Sequence, residues 1–179
     1  MTAVLTRRSE QLLAEPAPGD DEFRYLLKGA AMAPDHGRLR PWRWVLARDE
    51  ALASAADALA AEAPSQDREQ VRRKALRAPL RAFLVFAPRP GHKVPEWEQL
   101  AAGSTMAHAL MLLLHARGYG SIWRTGRLCG SPALRELLGL AEGERLLGAV
   151  DIGTPVRTGP PTRRSAPELS GHLTVLTTR

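Results

Sequence analysis

Three groups of side chains carry the residue types from which chemistry could be built. Arg7, Arg8 and Ser9 stand near the N-terminus. Two guanidinium forks beside a hydroxyl match the oxygens of a phosphate, because each planar fork can donate parallel N–H bonds. His36, Arg38 and Arg40 share the segment 35–41 with Gly37 and Pro41. A loop held between rigid elements is where binding groups collect. Trp123, Arg124 and Thr125 set an aromatic face, a cation and a hydroxyl side by side. Taken singly, each group also fits a solvated surface, and residue type leaves both readings open.

The motifs of self-sufficient catalysis are missing. Gly118 and Gly120 are followed by Trp123 where a dinucleotide fingerprint needs its third glycine, and no phosphate loop with Gly-Lys-Ser/Thr occurs. No Gly-x-Ser-x-Gly elbow marks a serine hydrolase. His108 and His115 fall on one side of a helix two turns apart, without the His-Glu-x-x-His pattern or nearby carboxylates, so no metal site is expected. Cys129 is the single cysteine and has no evident base. No catalytic protein residue is therefore assigned. Arginines, aromatics and hydroxyls in loops suit an enzyme whose cofactor carries the chemistry.

Residues 95–126 are the segment around which the positioning elements must be arranged. The stretch from Ala101 to Ala116 is almost free of charge, which predicts a long helix enclosed by other elements. A glycine turn, a short strand at residues 121–123 and the loop with Arg124 follow. Before it, Val4, Leu5, Leu12 and Leu13 suit a short amphipathic start. Asp20 or Asp21 is placed to cap a helix whose Phe23, Leu26, Leu27, Ala30 and Ala31 face the core. Residues 42–46 and the apolar run 82–87 read as strands, the second as a central one. Asp49 suits the cap of a helix ending before Pro64, and residues 66–78 read as a charged helix ended by Pro79. Ser131 followed by Pro132 predicts a capped helix start, residues 145–152 a further strand, and the alternation over 172–177 a final one that pairs with a distant sheet edge or another subunit. The sum is a single α/β (α+β) domain over residues 1–179.

Composition narrows the rest. The chain has 179 residues, 44% hydrophobic and 25% charged, enough for one substantial core. The net charge of +6 invites a nucleic-acid partner, but the arginines are scattered from Arg7 to Arg179 without a basic run, so none is expected. No apolar run has the length of a membrane span and no apolar stretch follows Arg7 and Arg8 as in a signal peptide. The expected place is the cytoplasm, with no membrane partner.

These groups, in this order, resemble those of the nitroreductase family, particularly its minimal branch. Arg7-Arg8-Ser9, Ala33-Pro34-Asp35-His36 with Pro41-Trp42, His92-Lys93-Val94-Pro95 with Trp97-Glu98, the run Gly120 to Gly126, and Gly153-Thr154-Pro155 carry the resemblance. It implies a nitroreductase-like fold, with a central mixed sheet, helices on both faces, and an intertwined homodimer holding FMN at its interface. Arg7, Arg8 and Ser9 would hold the FMN phosphate and ribityl chain. His36 and Arg40 would reach the flavin from the other subunit, and Trp123, Arg124 and Thr125 would line it. Residues 114–119 would meet NADH or NADPH, the electron donor, and Arg163 or Arg164 could add a phosphate contact. The implied activity is a ping-pong transfer of hydride through flavin to small nitroaromatic or quinone-like acceptors. A flavin-binding or redox-sensing protein without turnover is the alternative, and a basic nucleic-acid-binding domain a more distant one.

Overall fold

The computed structural model describes residues 2–156 and 165–176. Arg163, Arg164 and Thr177 lie outside the described residues, so the roles expected of them are not addressed by the structure.

Five strands form one sheet in the order β1-β5-β3-β2, with β4 also paired to β5. They are β1 (Leu13–Ala14), β2 (Trp42–Ala47), β3 (Leu80–Phe86), β4 (Gly120–Arg124) and β5 (Arg145–Pro155). The eleven residues of β5 bind β3 through Arg145 to Ile152, β4 through Ala149 to Gly153, and β1 through Thr154 and Pro155. All of these ladders are antiparallel, where a mixed sheet was expected. The parallel contribution among the described residues is an isolated bridge between Ser9 and Ser121. Every residue of β3 is buried, as its unbroken apolar run requires of a strand covered on both faces. A register shift at Leu84/Val85 lets Leu146 and Gly148, two positions apart, oppose consecutive residues of β3.

Helices cover both faces. Leu80, Ala82, Leu84, Val150 and Ile152 pack beneath α2 (Asp20–Ala30) and α5 (Glu96–Ala116). Phe83, Val85 and Ala149 point the other way, onto Leu52 and Ala55 of α3 (Asp49–Ala61) and Leu134 of α6 (Pro132–Leu137). The capping expectation holds at α6, where Ser131 Oγ accepts the Leu134 N–H at 3.0 Å and Pro132 opens the helix. It fails at α2 and α3: Gly19 and Arg48 occupy the cap positions, and Asp49 is already inside α3 with φ +44°. The charged helix is shorter than expected, a 3-10 turn (Ser65–Asp67) followed by α4 (Arg68–Ala75). The alternating segment 172–176 forms no ladder, and Leu173, Val175 and Leu176 are exposed. Alternation yields a strand only where an edge offers its hydrogen bonds; among the described residues of one chain no strand pairs with this segment, and the other expectation, pairing with another subunit, concerns a second copy.

The long helix is enclosed on one side. Ala102, Met106, Ala107, Leu110 and Leu114 are buried, whereas Trp97, Ala101, Thr105 and His108 form an exposed stripe at helical spacing. Gln99 fixes its start. The side-chain amide, 2% exposed, accepts the Arg89 N–H at 2.8 Å and donates to the Val94 carbonyl at 2.9 Å, so the loop before α5 is closed onto the helix. Short α1 (Thr2–Thr6) is tied to its other end by a 2.7 Å hydrogen bond between Thr6 Oγ1 and His115 Nε2.

At the sheet edge, Arg43 of β2 donates through Nε and Nη2 to both oxygens of Glu144, at 2.8 and 2.6 Å. These bonds hold the Glu144 carboxyl below the usual carboxylate range and raise the Arg43 guanidinium. A carboxyl held low when folded stabilises fully above its unfolded value, and that contribution is lost as pH falls through the folded one. Thermal melts should therefore decline below about pH 4.3, and Glu144→Gln should make the decline shallower over that window.

Candidate functional site

The site begins at β4, because two of the three groups meet there. The chain leaving α1 passes Arg7 and Arg8 and bridges to β4 at Ser9, and the Glu10 N–H donates to the Ser121 carbonyl at 3.2 Å. Gln11 Oε1 then accepts from Arg124 at the far end of the strand, at 3.1 Å. The N-terminal segment thus runs the length of β4, with Arg7 half-buried and Arg8 and Ser9 exposed.

Strand alternation sends Trp123 and Arg124 to opposite faces. Trp123 pairs with Val150 and packs under the α2–α5 layer, while Arg124 pairs with Ala149 and enters the other face. Trp123 has room because Gly148 stands beside it: a Cβ there would collide with Trp123 Nε1 and the Arg124 carbonyl, and its φ of +136° suits glycine. Trp123 Nε1 and Ser121 Oγ are buried without a hydrogen-bond partner among the described residues, both on the α2–α5 face of the strand.

Arg124 is held from behind. Its Nε donates to Asp151 Oδ2 at 3.2 Å, and Asp151, 1% exposed, also takes two bonds from Arg81, at 2.7 and 3.1 Å. Arg81 is itself 3% exposed, so the bidentate pair is buried and Arg124 adds a second cation at the edge. Beyond this trio opens a cleft of about 680 Å³. Arg81, Arg124 and Thr125 line one part of it, and Lys74, Arg77 and Arg127 add further positive charge. Leu59, Ala63, Val71 and Leu128 supply an apolar wall. Glu62 is the carboxylate on the lining, and its Oε1 is engaged by the Ala133 N–H at 2.8 Å.

His36 and Arg40 lie elsewhere. His36 Nδ1 hydrogen-bonds Glu98 Oε2 at 2.5 Å on the first turns of α5, with its side chain 80% exposed. Arg40 is exposed at φ +48°, its N–H donating to Asp35 Oδ2 at 2.7 Å. A groove lined by His36, Trp97, Ala101 and Thr105 runs along the exposed stripe of α5. From Glu98 to His115, where the N-terminal segment docks, the helix covers about 25 Å. One chain therefore keeps the third group away from the other two.

Sequence reasoning missed Arg81, Asp151, Gln11, Lys74, Arg77 and Arg127. A carboxylate between Val150 and Ile152, inside an apolar strand, was a legible signal that a buried cation must face it. Among the described residues, no cluster of His, Cys, Asp and Glu could hold a metal ion. No helix among them is long and apolar enough to cross a membrane. Cys129 is half-buried, and burial pushes its thiol up, which keeps it protonated and unreactive at neutral pH.

Solved structures share this architecture. A nitroreductase-like family protein from Bacillus cereus superposes with a TM-score of 0.85 over 98% of this chain and 94% of its own, at 23% identity. A structure from Desulfovibrio desulfuricans, described as a nitroreductase in complex with FMN, gives 0.73 over 99% and 96%, at 21% identity. The fold is thus nitroreductase-like. The sequence profile of the nitroreductase family matches residues 4–154, and YdjA of Escherichia coli (strain K12), named by inference as an NAD(P)H nitroreductase, is 34% identical over 85% of this chain and 86% of its own. The chain belongs to the nitroreductase family.

Removing one partner of the buried pair should be costly, because the other charge is left uncompensated. Asp151→Ala is expected to lower unfolding free energy by about 3–5 kcal/mol, read by urea denaturation. Arg124→Ala should cost less, since Arg81 still balances Asp151.

Proposed function

We propose that this chain, acting as one domain, is an FMN-dependent oxidoreductase that takes hydride from NADH or NADPH and reduces nitroaromatic or quinone-like acceptors by a ping-pong cycle. The observation that carries it is the meeting at β4 of the Arg7–Ser9 segment, the residues Trp123, Arg124 and Thr125, and a cationic cleft. The names of YdjA and the FMN-bound relative favour the same reading.

The residues fit such a cofactor. Arg7 and Arg8 suit a phosphate dianion, with Ser9 beside them. The part of the cleft lined by Arg124 and Thr125 sets a positive charge and a hydroxyl beside an apolar wall, which suits a flat ring with an electron-rich edge. Bound FMN would supply hydride acceptance from the nicotinamide and electron delivery to the acceptor. Around it, Arg124 supplies a fixed positive charge that favours the anionic, reduced form. Asp151 and Gln11 hold that guanidinium in place. Thr125 lines the cleft just past the end of β4, and Trp123 packs the strand onto the α2–α5 layer from its other face. The apolar wall excludes water, which strengthens every one of these interactions.

A homodimer completes the site in this reading. His36 and Arg40 of a second copy would reach the cofactor that Arg7, Arg8 and Ser9 hold, because within one chain α5 keeps these groups about 25 Å apart. The exposed stripe from Trp97 to His108 and the exposed Leu173, Val175 and Leu176 offer the apolar surface for that association. A soluble, cytoplasmic enzyme without a nucleic-acid partner is the setting that suits it.

Purified protein should be yellow, bleach on addition of NADH or NADPH, and regain colour with an acceptor; colourless protein that gains no flavin absorbance with added FMN sinks the proposal. Bleaching without reoxidation by any acceptor would mark a flavin-binding protein without turnover. Replacing Arg7 and Arg8 together by Ala should weaken FMN binding at least about tenfold, measured by flavin fluorescence on titration.

A further inference from the structure

The cleft carries more positive charge than its own carboxylates balance. Arg81 and Arg124 are engaged by Asp151, but Lys74, Arg77 and Arg127 make no side-chain hydrogen bond or ion pair among the described residues. Glu62 is one carboxylate facing these three cations, and no ion pair joins it to any of them among the described residues. Arg77 follows α4 and Arg127 lies in the 3-10 turn Gly126–Gly130, so the two come from different elements and converge on one opening. Both are exposed, whereas Leu59, Ala63, Val71 and Leu128 make the apolar part of the wall. A cation pair at the mouth and an apolar wall within describe an amphipathic anion, with its acid group outward and its flat apolar body inward.

We infer that the cleft selects electron acceptors bearing a carboxylate, whose acid group Arg77 and Arg127 receive while the reducible ring lies against the apolar wall. The inference rests on the flavin reading above, because Arg124 and Thr125 line the same cleft. It adds recognition and no new bond: the electrons still come from NADH or NADPH. Guanidinium groups are suited to the task, since each can take a carboxylate through two parallel N–H bonds. Unpaired cations at a cleft mouth also raise the local concentration of anions, an effect that salt screens over about 10 Å at 0.1 M.

The test compares 4-nitrobenzoate with 4-nitrobenzamide, which keeps the ring and its bulk and removes the charge. Wild type, Arg77→Gln, Arg127→Gln and the double variant are purified with their flavin. The benzoate-to-benzamide ratio of kcat/KM should fall about tenfold or more in the double variant, with flavin content unchanged. In wild type that ratio should also fall as salt is raised. Calorimetric titration of 4-nitrobenzoate into the protein as purified gives a readout independent of turnover and should show the same loss of affinity. An unchanged ratio and unchanged binding overturn the inference. Loss of flavin from the double variant overturns it by assigning these cations to the cofactor phosphate. A change confined to NADPH relative to NADH overturns it by assigning them to the donor. Wild-type protein without flavin would instead defeat the flavin reading, and the titration would still decide whether Arg77 and Arg127 hold the carboxylate.

Discussion

Asp151 must be neutralised inside a strand where its neighbours are apolar, and the way this is done fixes the sheet. Arg81 of β3 stands opposite Asp151 of β5, and Ile122 of β4 stands opposite it on the other edge. The pair is buried and bidentate, so the two strands can meet in one register. A slip by one residue would carry Asp151 under α5, among Met106, Leu110 and Leu114, without a counter-charge. Buried ion pairs often add little net stability against an apolar alternative, because both charges lose water. Here the pair has a second use, since the remaining attraction of Asp151 holds Arg124 at the wall of the cleft.

The length of α5 is the second constraint. Its buried side anchors the helix over the sheet, its first turns hold His36 through Glu98, and its last turn holds the N-terminal segment through His115. A rigid rod with a candidate binding group at each end separates them within a chain. The same rod, laid against a second copy in the opposite sense, would bring unlike ends together. Helix geometry alone gives the separation of the two groups, and the proposed dimer would supply the complement of each.

Much of this was legible in the sequence. β3 showed as an apolar run, α5 as an uncharged stretch, and the start of α6 as a serine and proline in the right order, because local burial and capping leave local patterns. The Arg7–Ser9 and Trp123–Thr125 groups stood out by residue type, and their role in binding belongs to the proposal. Their meeting along β4 was not legible, since a bridge between residues so far apart in the chain leaves no periodicity. Arg81 was hidden at the edge of an apolar run, where an arginine reads as the point at which the strand stops. Arg77 and Arg127 looked like two of many surface cations until the fold put them at one opening. The alternation over residues 172–177 shows the limit of pattern: it suits pairing but does not say with what, and the first of its two expected partners, a sheet edge of the same chain, is not taken up by the described residues 172–176. Asp20, Asp21 and Asp49 were credited as caps for their residue type, yet the backbone places Gly19 and Arg48 at those positions.

Gly148 and Trp123 bind each other's history. The indole occupies the volume that a Cβ at position 148 would need. No side chain can be gained at 148 while the indole remains, and exchanging the indole for a smaller side chain would leave a hole in the layer beneath α5. Removing the indole would not free the position, because the Arg124 carbonyl lies as close to that Cβ and the backbone at 148, with φ +136°, favours glycine. Position 148 is therefore held to glycine by its own backbone and by the Arg124 carbonyl, and Trp123 is the member of the pair that is open to change.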